Sequence, residues 1–263
     1  MGVIDKTKVR RSFAAAATTY DQAAHLQRAV GQALLQTIRP TALQGRVMDL
    51  GCGTGFLSGE LLAGGWCKAS DLLAVDIALS MVAAARDKLV GPYQKPYYLC
   101  ADAEQLPFAD NSIQHIFSNL AVQWCRQLAV AAAEFRRVLC PGGYIHFTTF
   151  GPKTLHELKA AWQTVDDYQH VIDFYSEKAI WAILQQAGLT DISVQSQLYI
   201  NYYPSVKGLL QELKNLGAQT VSARSPHITG KARWQALLTA YHADKHSGLI
   251  PASFEIITVR AKA

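Results

Sequence analysis

The chain lacks most of the features that mark specialised protein classes. Half of its 263 residues are hydrophobic, yet no apolar run approaches the ~18 residues that would suggest a membrane-spanning helix. Charged residues make up only 17%, and a formal net charge of +5 is too small to indicate a nucleic-acid partner by itself. The five cysteines (Cys52, Cys67, Cys100, Cys125 and Cys140) form no C-x-x-C pair and no ligand spacing with histidine. That argues against a disulfide framework and against a bound metal. Buried free thiols in a reducing compartment fit best, which makes the cytoplasm the expected location. Internal repeats are absent, and the only low-complexity tract is the alanine run Ala14–Ala17. The basic opening Lys6-Thr7-Lys8-Val9-Arg10-Arg11 imitates a signal peptide. Its apolar part is short, however, and runs on into an amphipathic pattern at Thr18-Thr19-Tyr20-Asp21, so it reads as mature protein.

What the chain does have is the segment Val47-Met48-Asp49-Leu50-Gly51-Cys52-Gly53-Thr54-Gly55. An apolar run ends in an acid, a turn with alternate glycines follows, and a helical pattern opens at Phe56. This order describes a buried parallel strand delivering a nucleotide-like ligand to a helix N-terminus. The spacing is G-x-G-x-G and not the dinucleotide G-x-G-x-x-G, so a nicotinamide cofactor is the weaker reading. A second apolar strand, Leu72-Leu73-Ala74-Val75-Asp76, ends in an acid roughly twenty residues later, where such folds place a ribose-binding carboxylate. A third, Tyr97-Tyr98-Leu99-Cys100, runs into Ala101-Asp102-Ala103-Glu104. A lone strand-end acid often caps the next helix; three in succession beside a glycine turn point to a ligand site.

The set Asp49 to Gly55, with Asp76, Asp102 and Pro141-Gly142-Gly143, resembles the class I S-adenosylmethionine-dependent methyltransferases. The resemblance implies S-adenosyl-L-methionine as cofactor. Gly51, Gly53 and Gly55 would line its methionine portion, Asp76 would bind the ribose hydroxyls, and Asp102 with the backbone of Ala103 would read the adenine edge. Asn119-Leu120 would lie beneath the adenine and sulfonium, and Asp49 would order the loop and the cofactor's ammonium. Cys52, Ile77 and Met81 complete the implied cofactor-binding set.

Alternating strands and helices predict an α/β fold with a doubly wound, mostly parallel sheet; the resemblance implies that this sheet is seven-stranded, and it carries a helical cap. Strands are expected at Arg46–Leu50, Leu72–Asp76, Tyr97–Cys100, Ile113–Ser118 and Tyr144–Thr149, with helices at Ser80–Leu89, Leu128–Leu139 and Glu177–Ala187. A single helix is expected over about Val9–Ile38, ended by Arg39-Pro40. The resemblance assigns Asp191–Tyr203 and Phe254–Val259 to the closing antiparallel pair. The expected organisation is an N-terminal helical cap (1–38), a cofactor-binding core (39–203, with an insertion at 151–173), a helical cap insertion (204–250) and a closing strand (251–263). The cap insertion carries helical patterns at Val206–Leu216 and Lys231–Lys245.

Methyl transfer from a sulfonium needs an aligned nucleophile and exclusion of water. The eight histidines (His25, His115, His146, His156, His170, His227, His242, His246) form no dyad, and the chain offers no general base. Three further segments resemble the malonyl-[acyl-carrier protein] O-methyltransferases of biotin synthesis: Phe13 to Gln27, Ser118 to Cys125 (Ser-Asn-Leu-Ala-Val-Gln-Trp-Cys) and Leu213 to Ala218 (Leu-Lys-Asn-Leu-Gly-Ala). That resemblance implies esterification of the free carboxylate of a malonyl thioester, on an acyl-carrier protein or on coenzyme A. An anionic nucleophile needs no base, in keeping with the histidine pattern. It calls instead for a cation to orient the carboxylate: Arg224 is preferred, with Arg28 and Lys153 as alternatives. Tyr20 and Trp124 are implied to wall the cofactor and substrate channel, and Phe147 and Phe150 are further possible lining residues. Between 204 and 248, Lys207, Lys214, Arg224, Lys231, Arg233 and Lys245 outnumber Glu212 and Asp244. Such a surface suits an acidic carrier and equally suits an ordinary solvated face. Gln211 stands where relatives often carry a basic residue. Two other readings stay open: a methyltransferase of another small carboxylate or quinone-like molecule, and a non-catalytic cofactor-binding partner protein.

Overall fold

A computed structural model of the chain describes residues 4–38, 43–89, 95–218, 230–245 and 247–263. Seven strands form one sheet in the order β3-β2-β1-β4-β5-β7-β6. They are β1 (Val47–Leu50), β2 (Leu72–Asp76), β3 (Tyr97–Cys100), β4 (Ile113–Asn119), β5 (Leu139–Phe150), β6 (Thr190–Tyr203) and β7 (Ile250–Lys262). The first five run parallel; β7 lies antiparallel between β5 and β6. Strand β1 is buried along its whole length, so its residues are apolar apart from Asp49. This is the pattern of a central parallel strand covered on both faces. The order steps outward from β1 in both directions, and the crevice between the ends of β1 and β4 is where such sheets bind ligands.

Helices α4 (Phe56–Ala63), α5 (Leu79–Lys88), α6 (Leu128–Val138) and α8 (Glu177–Gln186) flank the sheet. One apolar layer joins Met48, Ile116, Ile145 and Phe147 to Phe135, Ile180 and Leu184. A second sets Val47, Leu72 and Phe117 against Leu57 and Leu61 and against Leu34 of the N-terminal segment. A third packs Leu26 and Val30 with Leu158 and Trp162 of α7 (His156–Gln163), Leu209 of α9 (Val206–Asn215), Leu237 of α10 (Lys231–Ala240) and Phe254 of β7.

The single N-terminal helix expected from periodicity is three: α1 (Lys6–Ala16), α2 (Tyr20–Ala23) and α3 (His25–Gln36). Asp5 caps α1, its carboxylate accepting the Thr7 and Lys8 amides at 3.0 and 3.2 Å. The break falls at Thr18-Thr19. The Thr19 hydroxyl donates to the Ala16 carbonyl at 3.2 Å and approaches the Asn215 carbonyl at 3.1 Å. Such side-chain bonds compete with continued helix. The helix then restarts in a direction that carries Tyr20 to the ends of β1 and β2. The expected stop at Arg39-Pro40 lies outside the described residues.

Strands β5 and β7 are longer than their β-branched cores suggest. The Pro141-Gly142-Gly143 segment is absorbed into β5, with Gly142 at φ +80° and its amide donating to the Ala263 carbonyl at 3.0 Å. Strand β7 is paired on both edges, which extends it beyond Phe254–Val259.

Candidate cofactor cleft

The C-terminal ends of β1, β2 and β4 open into a cleft lined mainly by apolar side chains and backbone, with a few polar groups. Gly51, Gly53, Asp76, Ile77, Met81, Asp102, Ala103, Asn119, Leu120, Tyr20 and Trp124 all line it, so the structure gathers most of the residues singled out from sequence. A smaller adjoining recess takes in Asp49, Cys52, Gly53, Asn119 and Arg28. Gly55 is set back from both, at the N-cap of α4 with φ +87°.

The floor is made by the glycine turn. Gly51 adopts φ +75°, and a Cβ there would sit 2.2 Å from Cβ of Ala121. Only glycine lets β1 and the turn after β4 close to this distance. Asp49, one residue from the strand end, accepts the Ser58 hydroxyl at 2.6 Å and so ties β1 to α4. Asp76 accepts the Gly53 amide at 3.0 Å on one oxygen and the Ala78 amide at 2.8 Å on the other. Each carboxylate oxygen has a further lone pair, so Asp76 braces the glycine turn and retains acceptor capacity facing the cleft. Burial raises both carboxyls to about 6, against the opposing pull of their hydrogen bonds.

Asn119 is committed on both ends. Its amide donates to the Gln27 carbonyl at 2.8 Å, and its carbonyl accepts the Thr148 hydroxyl at 2.8 Å. It therefore pins α3 to the sheet. Leu120 follows at φ +49°, held by bonds from its amide to the Thr148 carbonyl and hydroxyl. A left-handed leucine costs about 1–3 kcal/mol and persists only where neighbours enforce it; such strain concentrates at binding sites.

The N-terminal helices form the opposite wall. Val9, Phe13 and Tyr20 face the cleft, and Phe13 meets Trp124 edge-on at 5.5 Å between ring centres. Burial, then the Asp76 charge, raises the Tyr20 phenol, so it stays protonated. The residue that sequence reasoning missed is Lys6. Its ammonium donates to both carboxylate oxygens of Asp102 at 2.6 Å and also pairs with Glu104. Burial opposes its charge, but these two carboxylates prevail and its pKa is raised. Glu104 in turn accepts the Arg126 and Gln127 amides at 3.1 and 2.7 Å, at the start of α6. One lysine thus joins α1, the loop after β3 and the α6 N-terminus. No local pattern connects residues 96 positions apart, so the sequence carried no signal for it.

Of the three cations considered for a substrate carboxylate, Arg224 lies outside the described residues. Lys153 lines neither the cleft nor the recess; it lies 3.9 Å from Glu255 and is largely exposed. Arg28 lines the recess, 3.4 Å from Asp21 and over the Phe56 ring. Asp21 also accepts the Thr54 hydroxyl at 2.7 Å and pairs with Lys88, fastening α2 to the glycine turn. Phe147 is buried within the sheet core, and Phe150 packs on Phe174 and Phe254; neither lines the cleft. Gln211 is exposed and donates to the Asn215 side chain at 2.8 Å. No described lining residue is a histidine. His146 is buried against Phe117, where burial lowers its pKa to about 3. Among the described residues no His, Cys, Asp or Glu cluster suits a metal, and no helix is long and apolar enough to cross a membrane.

Sheet order, glycine turn and strand-end acids define a Rossmann-like class I methyltransferase. A family model described as a methyltransferase domain matches residues 48–147. The fold is similar to that of Haemonchus contortus phosphoethanolamine N-methyltransferase 2, solved with S-adenosyl-L-methionine: TM-score 0.58 and 17% identity, covering 94% of this chain and 56% of that one. The malonyl-[acyl-carrier protein] O-methyltransferase of Methylococcus capsulatus is 40% identical over 260 residues, 97% of this chain and 92% of its own length. The biotin biosynthesis bifunctional protein BioHC of Cellvibrio japonicus is 39% identical over 96% of this chain, which spans about half (49%) of that longer relative. This chain belongs to the malonyl-[acyl-carrier protein] O-methyltransferase family.

Proposed function

We propose that this chain transfers the methyl group of S-adenosyl-L-methionine to the free carboxylate of a malonyl thioester borne by an acyl-carrier protein, as a step of biotin synthesis. The observation that carries the reading is the kinship along nearly the whole chain, cap segments included, with a relative named for that reaction. The cleft agrees with it chemically. Its ionisable lining groups are Lys6, Tyr20, Asp76, Asp102 and Cys125. Lys6 is paired, and burial raises both Tyr20 and Cys125, which keeps them protonated. Asp102 is paired with Lys6, and Asp76 is held by the Gly53 and Ala78 amides and taken up by the ribose in this reading, so no lining group is left to serve as a base, and a carboxylate nucleophile requires none.

The residues fit the cofactor. Asp76 presents spare acceptors to a ribose, Asp102 with Ala103 borders the adenine position, and the Cβ-free turn at Gly51-Cys52-Gly53 admits a close ligand. Bound there, the cofactor supplies an electrophilic methyl group on a sulfonium. The chain's part is to align the incoming carboxylate and keep water out. Tyr20, Phe13 and Trp124 form the excluding wall, and α1–α3 with α9 and α10 act as the cap over the core. Arg28, beside Asp49 and the glycine turn, suits the cofactor's methionine end; Arg224 remains our assignment for the substrate carboxylate. Esterification removes a charge that would be heavily penalised in the apolar sites of chain elongation.

Intact-mass measurement after incubation with cofactor and malonyl-carrier protein tests the proposal. Addition of one methyl group is expected. Failure there, with methylation of a free small carboxylic acid instead, would reassign the substrate.

A further inference from the structure

From the contact of α1 with α9 we infer the docking surface for the acidic carrier, an inference that rests on the substrate reading above. Helix α1 holds Lys6, Lys8, Arg10 and Arg11 and no acid. Lys6 turns inward to the cleft, while Lys8, Arg10 and Arg11 are exposed. On α9, Lys207 and Lys214 are exposed, and the helix's one acid, Glu212, is drawn inward to accept the Tyr203 hydroxyl at 2.7 Å. Among the described residues Arg10, Arg11, Lys207 and Lys214 have no ion-pair partner, and Lys8 has only a loose 3.8 Å contact with Asp5.

The C-terminal end of α9 meets the middle of α1 and the turn that follows it. Gly217, at φ +70°, lies against the Ser12 carbonyl, where a Cβ would come within 3.0 Å, and the Thr19 hydroxyl reaches the Asn215 carbonyl. Arg11 is next to Ser12 and Lys214 next to Asn215 in the chain, so each helix brings an exposed cation to this joint. The other face of α1, through Val9 and Phe13, is the wall of the cleft. An anionic protein seated on the outer face would stand beside the cleft its tethered thioester must enter. Charge complementarity fits one occupant, an acidic helical carrier, and such fields raise association rates and set register. The earlier expectation of a positive surface over 204–248 is thus narrowed to α9, and half of the surface comes from α1.

The test is kinetic, with Arg11→Glu/Lys207→Glu/Lys214→Glu and a milder triple glutamine variant. Against malonyl-carrier protein, the glutamate variant is expected to raise KM about tenfold or more, the scale of reversed charges across an interface. The glutamine variant should fall between, and kcat should hold. Melting temperature, cofactor affinity and turnover of malonyl-pantetheine, which has no carrier, should match the wild type. In the wild type, salt should raise KM for the carrier, and in the glutamate variant it should not. An unchanged KM for the carrier would overturn the surface while leaving the function standing. So would loss of binding to phosphatidylglycerol vesicles with carrier kinetics intact, which would make the face a membrane contact. A wild-type chain that methylates neither malonyl-carrier nor malonyl-pantetheine would overturn the functional reading, and the docking surface with it.

Discussion

Replacing Asp76 by asparagine should weaken cofactor binding and leave the fold nearly as stable as before. The structure sets the two effects against each other. A carboxyl held at about 6 by burial, against an ordinary value of 3.8, costs about 3 kcal/mol when ionised at neutral pH. Asparagine removes that cost. It also turns an NH2 group toward either the Gly53 or the Ala78 amide, both of which now donate to Asp76. One buried amide is left unsatisfied, a loss of about 1–3 kcal/mol. The two nearly cancel, so the free protein should melt within a few degrees of the wild type. Nothing cancels in the complex. Losing a charged acceptor for a ribose hydroxyl is worth about 1.5–3 kcal/mol, or roughly 10- to 150-fold in Kd. Calorimetric titration with S-adenosylmethionine, alongside thermal melting of the free protein, reads both quantities. An unchanged Kd would mean that the ribose does not lie at the end of β2, and the placement of the cofactor would be wrong.

Gly51→Ala should abolish cofactor binding and lower the melting temperature, because its Cβ overlaps that of Ala121 at 2.2 Å and φ is +75°. Adding Ala121→Gly should recover part of the loss and not all, since the backbone strain remains; full recovery would discredit the conformational half of the account. Lys6→Met should speed amide exchange in α1 by leaving Asp102 and Glu104 without their cation, and unaltered protection by mass spectrometry would show that other contacts hold the helix. Asp49 and Asp76 both have raised pKa values, so their contribution to the stability of the free protein is complete below about 3.8 and lost as pH rises through about 6. A sulfonium ligand favours their ionised forms, so S-adenosylmethionine should bind more tightly as pH goes from 5 to 7, with a weaker trend for the uncharged sulfur of S-adenosylhomocysteine; equal trends would rule out a sulfonium effect.

The sheet could be read from the chain because each parallel strand is a short apolar run closed by an acid, and the local pattern alone carries that signal. Val47–Leu50 and Leu72–Asp76 are buried along nearly their full length, so little competes with their β-branched and leucine content. Strand ends were harder. Strand β7 extends to Lys262 because partners on both sides supply backbone bonds that no side-chain pattern announces. The break between α1 and α2 was hidden for a related reason: Thr19 is an ordinary helix residue until the Asn215 carbonyl lies within reach. Within the site, residues on the glycine turn and strand tips were legible, since ligand chemistry dictates their type. Lys6 was not, because its role exists only once α1 is laid across the end of β3.

The same division explains where substrate choice resides. The fold is similar to that of an N-methyltransferase at 17% identity, so the fold alone does not distinguish an amine from a carboxylate. A nucleophile that arrives ionised asks nothing of an acid–base pair, and alignment and dryness become the whole of the protein's task. Both are set by what covers the cradle of strand tips. The wall of Phe13, Tyr20 and Trp124 is held down by Lys6 at one end and by Asp21, through Thr54 and Lys88, at the other. These fasteners are ionic and lie at the edges of an apolar lid. The aromatic packing of the wall therefore sets what can line up over the cradle, and the charged contacts at its two edges set where the wall is held.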